Sequence, residues 1–429
     1  MSFSRVWAIA LVLIGFGGYA RMASALDAPT TQHHTKATER HPAVHHAAAA
    51  KPAARTASAH SAHKAAPVGQ KARLTARGSL RANARNAAHS AGRRHHFYER
   101  FTASSFANSD LLAGDVIAGE DPVVRQAAID ALGDMNGTAV VIDPSNGRIL
   151  AMVNQKLALS PGAEPCSTIK LTVAMAALSE GLVTRETPVQ LAGFRMNMTQ
   201  ALAKSNNLYF EELGRELGFD RVRHYANQFG LGELAGYNIE GEQLGVYPDQ
   251  ELPAAEGGVG RMCSFGQGVS LTPLQLGAFV AAIANGGTLY YLQHPTTPEE
   301  AAALTPKVKR TLDIARYVPD IEDGMAGAVE YGTARRLRAN FNELPVFGKT
   351  GTCSDKGTRF GWFASYSDTP QGSLVTVFFL EGGRPTFGPR AAELTGEFYK
   401  ELWDRNWFAA KGQQDAASAA SATSQQAQP

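Results

Sequence analysis

Three cysteines in 429 residues leave room for one disulfide and one thiol, so no network of cross-links holds this chain. Acid is missing from one long region: residues 28–96 contain 12 Lys/Arg and a single acidic residue, Glu39. The same region has almost no aromatic or branched apolar side chain, so it cannot bury enough surface to offset the entropy of ordering. Residues 26–96 are therefore expected to form a disordered His/Ala-rich basic tether. Long apolar runs are scarce as well. Val6–Ala20 is uncharged over 15 residues, which reach ~22 Å as a helix, short of a ~30 Å hydrocarbon core.

Arg5 precedes that run, Arg21 follows it, and Ala23-Ser24-Ala25 supplies an A-x-A cleavage site. Residues 1–25 are expected to be a signal peptide or, uncleaved, a membrane anchor through residues 6–20. Either way the remainder is exported to the periplasm or cell envelope. The net charge of +2 hides an asymmetry, because 97–429 holds 27 basic and 37 acidic residues. Ten of the 12 histidines fall in the tether, and their irregular spacing favours a solvated, pH-responsive polycation over a metal site. Its expected partner is an anionic envelope surface. Nucleic acid is not expected as a partner of an exported chain. Residues 411–429, rich in Gln, Ala and Ser, are expected to be a disordered tail, leaving 97–410 as the folded domain.

Within that domain, Val123–Leu132 has helical periodicity, and Thr138–Ile142 and Arg148–Val153 are strand-like runs joined by Asp143-Pro144-Ser145-Asn146-Gly147. Helical patterns follow from Ser167 to Leu178 and over Met198–Lys204, Leu208–Leu217, Asp220–Phe229 and Pro273–Asn285. Strand-like runs return at Pro345–Cys353, Arg359–Tyr366 and Ser373–Leu380, before a helix from Ala391 to Trp407. This order predicts an α+β fold, with an antiparallel sheet built from both chain ends, flanking helices and a mainly helical insertion. Phe210, Phe229, Phe265, Trp362 and Trp403 are assigned to the core. His224 and His294 are assigned no role in the chemistry.

Pro165-Cys166-Ser167-Thr168-Ile169-Lys170 lies where a polar loop gives way to an apolar helix. Ser167 and Lys170, spaced i, i+3, share one face of that helix. A serine hydroxyl needs a base within hydrogen-bond reach, and a lysine serves as one when burial or a neighbouring cation lowers its pKa. Taken alone, S-x-x-K is weak, and a capping serine followed by a surface lysine is the better explanation. Two further motifs change this: Ser205-Asn206-Asn207, then Lys349-Thr350-Gly351-Thr352 on a strand, with gaps of 35 and 142 residues between the motifs.

The order S-x-x-K, S-x-N, K-T-G is the signature of penicilloyl serine transferases. The chain resembles the transpeptidase domain of penicillin-binding proteins, closer to class B than to β-lactamases. The likeness runs through nearly all of 115–400: Ala139–Met152, Ser205–Gly214, Phe229–Glu242, Phe265–Gly287 and Val329–Leu337 are all similar to family stretches. The resemblance implies that Ser167 attacks the penultimate carbonyl of a peptidoglycan stem peptide ending in D-Ala-D-Ala. Lys170 is implied as its base. Ser205 passes a proton to the leaving amine, and Asn207 holds the substrate amide and steadies Lys170. Lys349 adds charge that favours neutral Lys170 and attracts a carboxylate. Thr350, Gly351 and Thr352 bind substrate, Gly351 by letting its backbone approach the strand edge. The N–H groups of Ser167 and Thr352 form the oxyanion hole.

The implied partners are stem peptides, β-lactams as covalent inhibitors, and a cell-wall synthesis complex; no metal and no organic cofactor is implied. Neither a pedestal domain nor a glycosyltransferase domain is read beside the tether. No Ω-loop with a deacylating glutamate is evident, so rapid β-lactam hydrolysis is not expected. The alternatives are a serine β-lactamase, a D,D-carboxypeptidase, or a non-enzymatic β-lactam sensor or divisome scaffold. If Ser167 and Thr352 share one oxyanion, their neighbours Cys166 and Cys353 come within disulfide distance. The serine carbapenemases, similar in fold, carry a disulfide at the equivalent pair of positions. A Cys166–Cys353 bond with Cys263 free is therefore expected, against three buried thiols or a bond involving Cys263.

Overall fold

The computed structural model describes residues 112–369, 373–383 and 385–413. The expected leader (1–25), basic tether (26–96) and the tail beyond residue 413 lie outside the described residues. Among the described residues no helix is long and apolar enough to cross a membrane.

Asp121 caps α1 (Pro122–Leu132), its carboxylate accepting the N–H groups of Val123 and Val124. The hairpin of β1 (Gly137–Asp143) and β2 (Arg148–Val153) follows. Asp143 Oδ1 accepts from the N–H and hydroxyl of Ser145, which fixes the connecting turn. A 3-10 turn, Cys166–Ile169, runs directly into α2 (Lys170–Ser179). The helical insertion continues as α3 (Met198–Lys204), α4 (Asn207–Leu217) and α5 (Phe219–Gln228). Its later helices are α6 (Gly258–Phe265), α7 (Pro273–Ala284) and α8 (Val318–Glu330). The chain then returns as β3 (Val346–Asp355), β4 (Thr358–Ser367) and β5 (Leu374–Gly382), and α9 (Gly388–Asp404) follows.

Pairing of β5 with β1, from Gly137↔Leu380 to Ile142↔Val375, joins the two ends of the domain. The sheet order is β2-β1-β5-β4-β3 and every pairing is antiparallel. This is the expected α+β architecture. Because side chains alternate along a strand, β1 and β5 feed two cores at once. Val140, Ile142, Val375, Val377 and Phe379 pack with α2 and α7, while Ala139, Val141, Leu374, Phe378 and Leu380 meet α1 and α9. β3 is the outermost strand, so one of its edges is free of sheet partners.

Several expectations need correction. The helix expected from Ser167 starts as a 3-10 turn and becomes α-helical only at Lys170. α6 and most of α8 were not legible, because glycines (Gly258 and Gly260; Gly324 and Gly327) dilute their helical pattern. α9 stops at Asp404 rather than Trp407, since Asn406 turns left-handed at φ 55°. Trp403 is not core: it is 41% exposed, on the outer face of α9. Phe265 is only half-buried and lies under the Arg261 guanidinium at 3.9 Å. Lys411, assigned to the tail, instead pairs with Asp143 at 2.8 Å.

Candidate active site

The chain reaches Ser167 through Cys166, a non-glycine residue at φ 51°, in the left-handed region that side chains avoid. The 3-10 turn that follows has three residues per turn, so Ser167 and Lys170 eclipse one another. Lys170 Nζ lies 2.9 Å from Ser167 Oγ. A second left-handed residue, Ser205 at φ 53° and ψ 44°, terminates α3. That turn aims both its carbonyl and its hydroxyl at Lys170, at 2.9 and 3.2 Å. Asn207, the first residue of α4, accepts from Lys170 at 2.6 Å.

The contacts of Lys170 accommodate a neutral amine. The Ser205 carbonyl and the Asn207 amide oxygen can only accept, and they take two N–H groups. A neutral amine then keeps its lone pair for the Ser167 O–H. Lys170 is fully buried, and its pKa falls well below the usual lysine value. Burial is the largest cause, the Lys349 charge adds to it, and the charge of Glu211 opposes it. Lys349 is also fully buried, which lowers it to about 7. Its Nζ donates to Ser205 Oγ at 2.8 Å and to the Thr350 carbonyl at 2.9 Å. Ser205 Oγ thus bridges the two lysines. The five residues expected to be catalytic (Ser167, Lys170, Ser205, Asn207 and Lys349) form one connected hydrogen-bond cluster.

The remaining motif residues line β3 beside that cluster. Gly351 is small for a reason within the fold as well. A Cβ there would lie 2.8 Å from the Pro165 carbonyl oxygen and 3.1 Å from Thr168 Cγ2. The glycine thus lets the nucleophile turn itself close against the strand. One residue further on, Thr352 Oγ1 accepts the Gly388 N–H at 2.8 Å, at the start of α9. Cys166 and Cys353 are disulfide-bonded with a Cα separation of 5.5 Å, and Cys263 is a buried free thiol. The bond joins the chain neighbours of Ser167 and Thr352, so their backbones are held side by side.

Thr350 does not reach the lysine cluster with its hydroxyl; its Oγ1 lies 2.6 Å from Thr333 Oγ1. Sequence reasoning gave Thr333 no role, although it lies in the Val329–Leu337 stretch. Glu211 was likewise missed, and its only signal is its position one helical turn after Asn207 on α4. Among the described residues no group of three His, Cys, Asp or Glu side chains is placed to hold a metal ion.

The penicillin binding protein transpeptidase domain family matches residues 137–400. Stage V sporulation protein D of Bacillus subtilis is 27% identical over 316 residues, covering 61% of this chain and 48% of that protein. Peptidoglycan D,D-transpeptidase MrdA of Acinetobacter baumannii is 25% identical over 358 residues, covering 65% and 52%. The chain therefore spans about half the length of these curated relatives. The fold is also similar to that in the crystal structure of Pseudomonas aeruginosa PBP2 in complex with WCK 5153. That match has a TM-score of 0.55 at 23% identity and covers 68% of this chain and 75% of that one. With its sheet, its helical insertion and most of its length inside the matched region, the chain belongs to the penicillin-binding protein transpeptidase domain family.

Proposed function

We propose that this chain is a peptidoglycan D,D-transpeptidase, a serine acyltransferase for stem peptides ending in D-Ala-D-Ala, and that β-lactams acylate the same serine. The observation that carries the reading is Lys170, fully buried, low in pKa and 2.9 Å from Ser167 Oγ. In the acylation step Lys170 Nζ takes the Ser167 proton as Oγ bonds to the penultimate carbonyl carbon. The N–H groups of Ser167 and Thr352 receive the developing oxyanion. As the C–N bond breaks, Lys170 returns the proton through Ser205 Oγ to the leaving D-Ala nitrogen. The acyl-enzyme ester is then attacked by an amine of a second stem peptide, and Oγ recovers its proton. The free edge of β3 suits a peptide that lies along it as an added strand.

A peptidoglycan substrate fits a domain exported by residues 1–25, with the basic segment 26–96 against an anionic envelope surface. Intact-mass spectrometry with benzylpenicillin tests the reading. One adduct is expected on the wild type, lasting minutes to hours, and none on Ser167→Ala. Stoichiometric labelling of Ser167→Ala would exclude this nucleophile. Rapid multiple turnover of penicillin would instead favour a β-lactamase.

A further inference from the structure

α4 and α6 approach one another closely where small residues meet. A Cβ on Gly214 of α4 would come 2.6 Å from Cys263 Sγ, and one on Gly260 of α6 would come 3.2 Å from the Glu211 carbonyl oxygen. α2, which begins at Lys170, packs against both helices. Glu211 lies in this seam, its side chain 18% exposed, and Oε1 accepts from the buried Ser264 hydroxyl at 3.4 Å. Its other oxygen, Oε2, pairs with Arg215 at 3.1 Å. Arg215 is 54% exposed and is shared with Glu212 at 2.8 Å.

Glu211 follows Asn207 by one helical turn, so the two side chains share one face of α4. On that face Asn207 Oδ1 accepts from Lys170 at 2.6 Å, and the Phe210 ring centroid lies 5.6 Å from the same nitrogen. The surface of α4 that meets Lys170 thus carries a carboxylate one turn on. Burial lowers the Lys170 pKa most, the Lys349 charge adds to that, and the Glu211 charge raises it. Glu211 is therefore the negative charge that acts on this amine. On α6, burial pushes the Cys263 thiol pKa up, and Arg261 donates to Gln267 instead.

Acylation creates charge at this place. As Ser167 Oγ bonds to the carbonyl carbon, its proton passes to Lys170 Nζ, which becomes an ammonium, while the carbonyl oxygen becomes an oxyanion. Two backbone N–H groups receive the oxyanion. For the ammonium, the residues of the cluster offer only neutral oxygens, and Ser205 Oγ holds the Lys349 cation beside it. We propose that Glu211 is the counter-charge for the ammonium that Lys170 becomes, a positioning residue that acts through Lys170 without touching substrate. The inference rests on the acyltransferase reading above. Ser264 keeps the carboxylate turned into the seam, and Arg215 draws part of its charge toward solvent. Without that carboxylate Lys170 holds its proton less tightly, so it becomes neutral at lower pH and is a weaker base once neutral.

The test follows acylation by benzylpenicillin in stopped-flow as a function of pH, at constant ionic strength. Lys170 acts while neutral, so its titration falls on the acid limb; Lys349 acts while charged, so its own falls on the alkaline limb. Glu211→Gln, which keeps an oxygen for Ser264, should move the acid limb about 0.5–1 pH unit lower and reduce the plateau about twofold to fivefold. Glu211→Asp should restore most of both. Arg215→Gln leaves the carboxylate charged and should not lower the limb. An acid limb that stays in place or rises in Glu211→Gln overturns the proposal. So does an equal lowering in Arg215→Gln, which would trace the effect to the surface ion pair, or a Glu211→Asp profile that matches Glu211→Gln. Absence of benzylpenicillin labelling on the wild type overturns the acyltransferase reading and the counter-charge with it; labelling with an unmoved limb overturns the counter-charge alone.

Discussion

Two sets of cations flank β3, and they are built on opposite terms. Lys170 and Lys349 are fully buried, and both bond to Ser205 Oγ and to neighbouring oxygens within 3.2 Å. Lys204 and Arg335 stand exposed with no side-chain partner among the described residues. The contrast teaches how burial assigns a role. Desolvation penalises the ammonium form, so a buried lysine becomes a proton carrier. An exposed cation acts by attraction alone. The buried pair is hydrogen-bonded within the protein, whereas the exposed pair has no side-chain partner among the described residues.

The largest effect should come from breaking the buried set. Lys170→Met keeps the volume of the side chain but removes the base. Acylation by benzylpenicillin, followed by stopped-flow, should fall roughly 10²–10⁴-fold. Tm should hold or rise, because Met lacks the desolvated amine. Lys204→Gln should leave the same acylation step within a few-fold of wild type. A Lys170→Met protein that acylates within tenfold of wild type would remove Lys170 as the base and dissolve the comparison.

pH offers the second break. Lys349 has a folded pKa of about 7, below its ordinary 10.5. Between those values the unfolded chain binds more protons than the folded one, so stability rises with pH across that window. The destabilisation is fully present below pH 7 and is relieved as pH approaches 10.5. Lys349→Met removes it, and denaturant titrations should show a shallower rise in stability from pH 7 to 10. At its steepest the difference in slope approaches about 1.4 kcal/mol per pH unit. The exposed Arg335→Gln should leave that slope unchanged. Parallel wild-type and Lys349→Met profiles would mean that Lys349 is not the titrating group.

The reaction centre was legible because its signals are local. The i, i+3 spacing of Ser167 and Lys170 and the order of the three short motifs both survive in the linear chain. The sheet was legible for the same reason, since short apolar, strand-like runs mark β1, β2, β3, β4 and β5. What escaped depends on contacts between distant segments. Thr333 matters because Gly332 docks on Ala203, a contact no periodicity announces. Gly351 was recognised as special, but its closeness to the Pro165 carbonyl was not foreseen. Trp403 was misplaced because the amphipathic pattern of α9 does not say which side of a large ring faces water.

The disulfide tests whether preorganisation on the buried side needs a covalent brace. Cys166 and Cys353 are separated by 187 residues in sequence, a span whose closure constrains the unfolded chain. Loss of such a cross-link costs up to about 5 kcal/mol on the chain-entropy account. Cys166→Ser/Cys353→Ser should lower Tm and slow acylation several-fold, because the oxyanion donors lose their tie. A lower Tm with an unchanged acylation rate would make the bond a staple only.

Ionic strength gives the smallest and most discriminating effect. Screening length shortens from about 10 Å at 0.1 M salt to about 3 Å at 1 M. Charges separated by solvent lose their attraction over that range, whereas contacts buried between Lys170, Ser205 and Lys349 have no ions between them to screen. In wild type, the acid limb of benzylpenicillin acylation should therefore stay in place between these salt concentrations. Lys204→Gln/Arg335→Gln should leave that limb in place as well, because the cations it removes are ones that salt already screens. A limb that moves with salt would place screened charge inside the reaction centre. That outcome would erase the distinction between the two sides of β3, since the buried lysines would then be acting as exposed ones do.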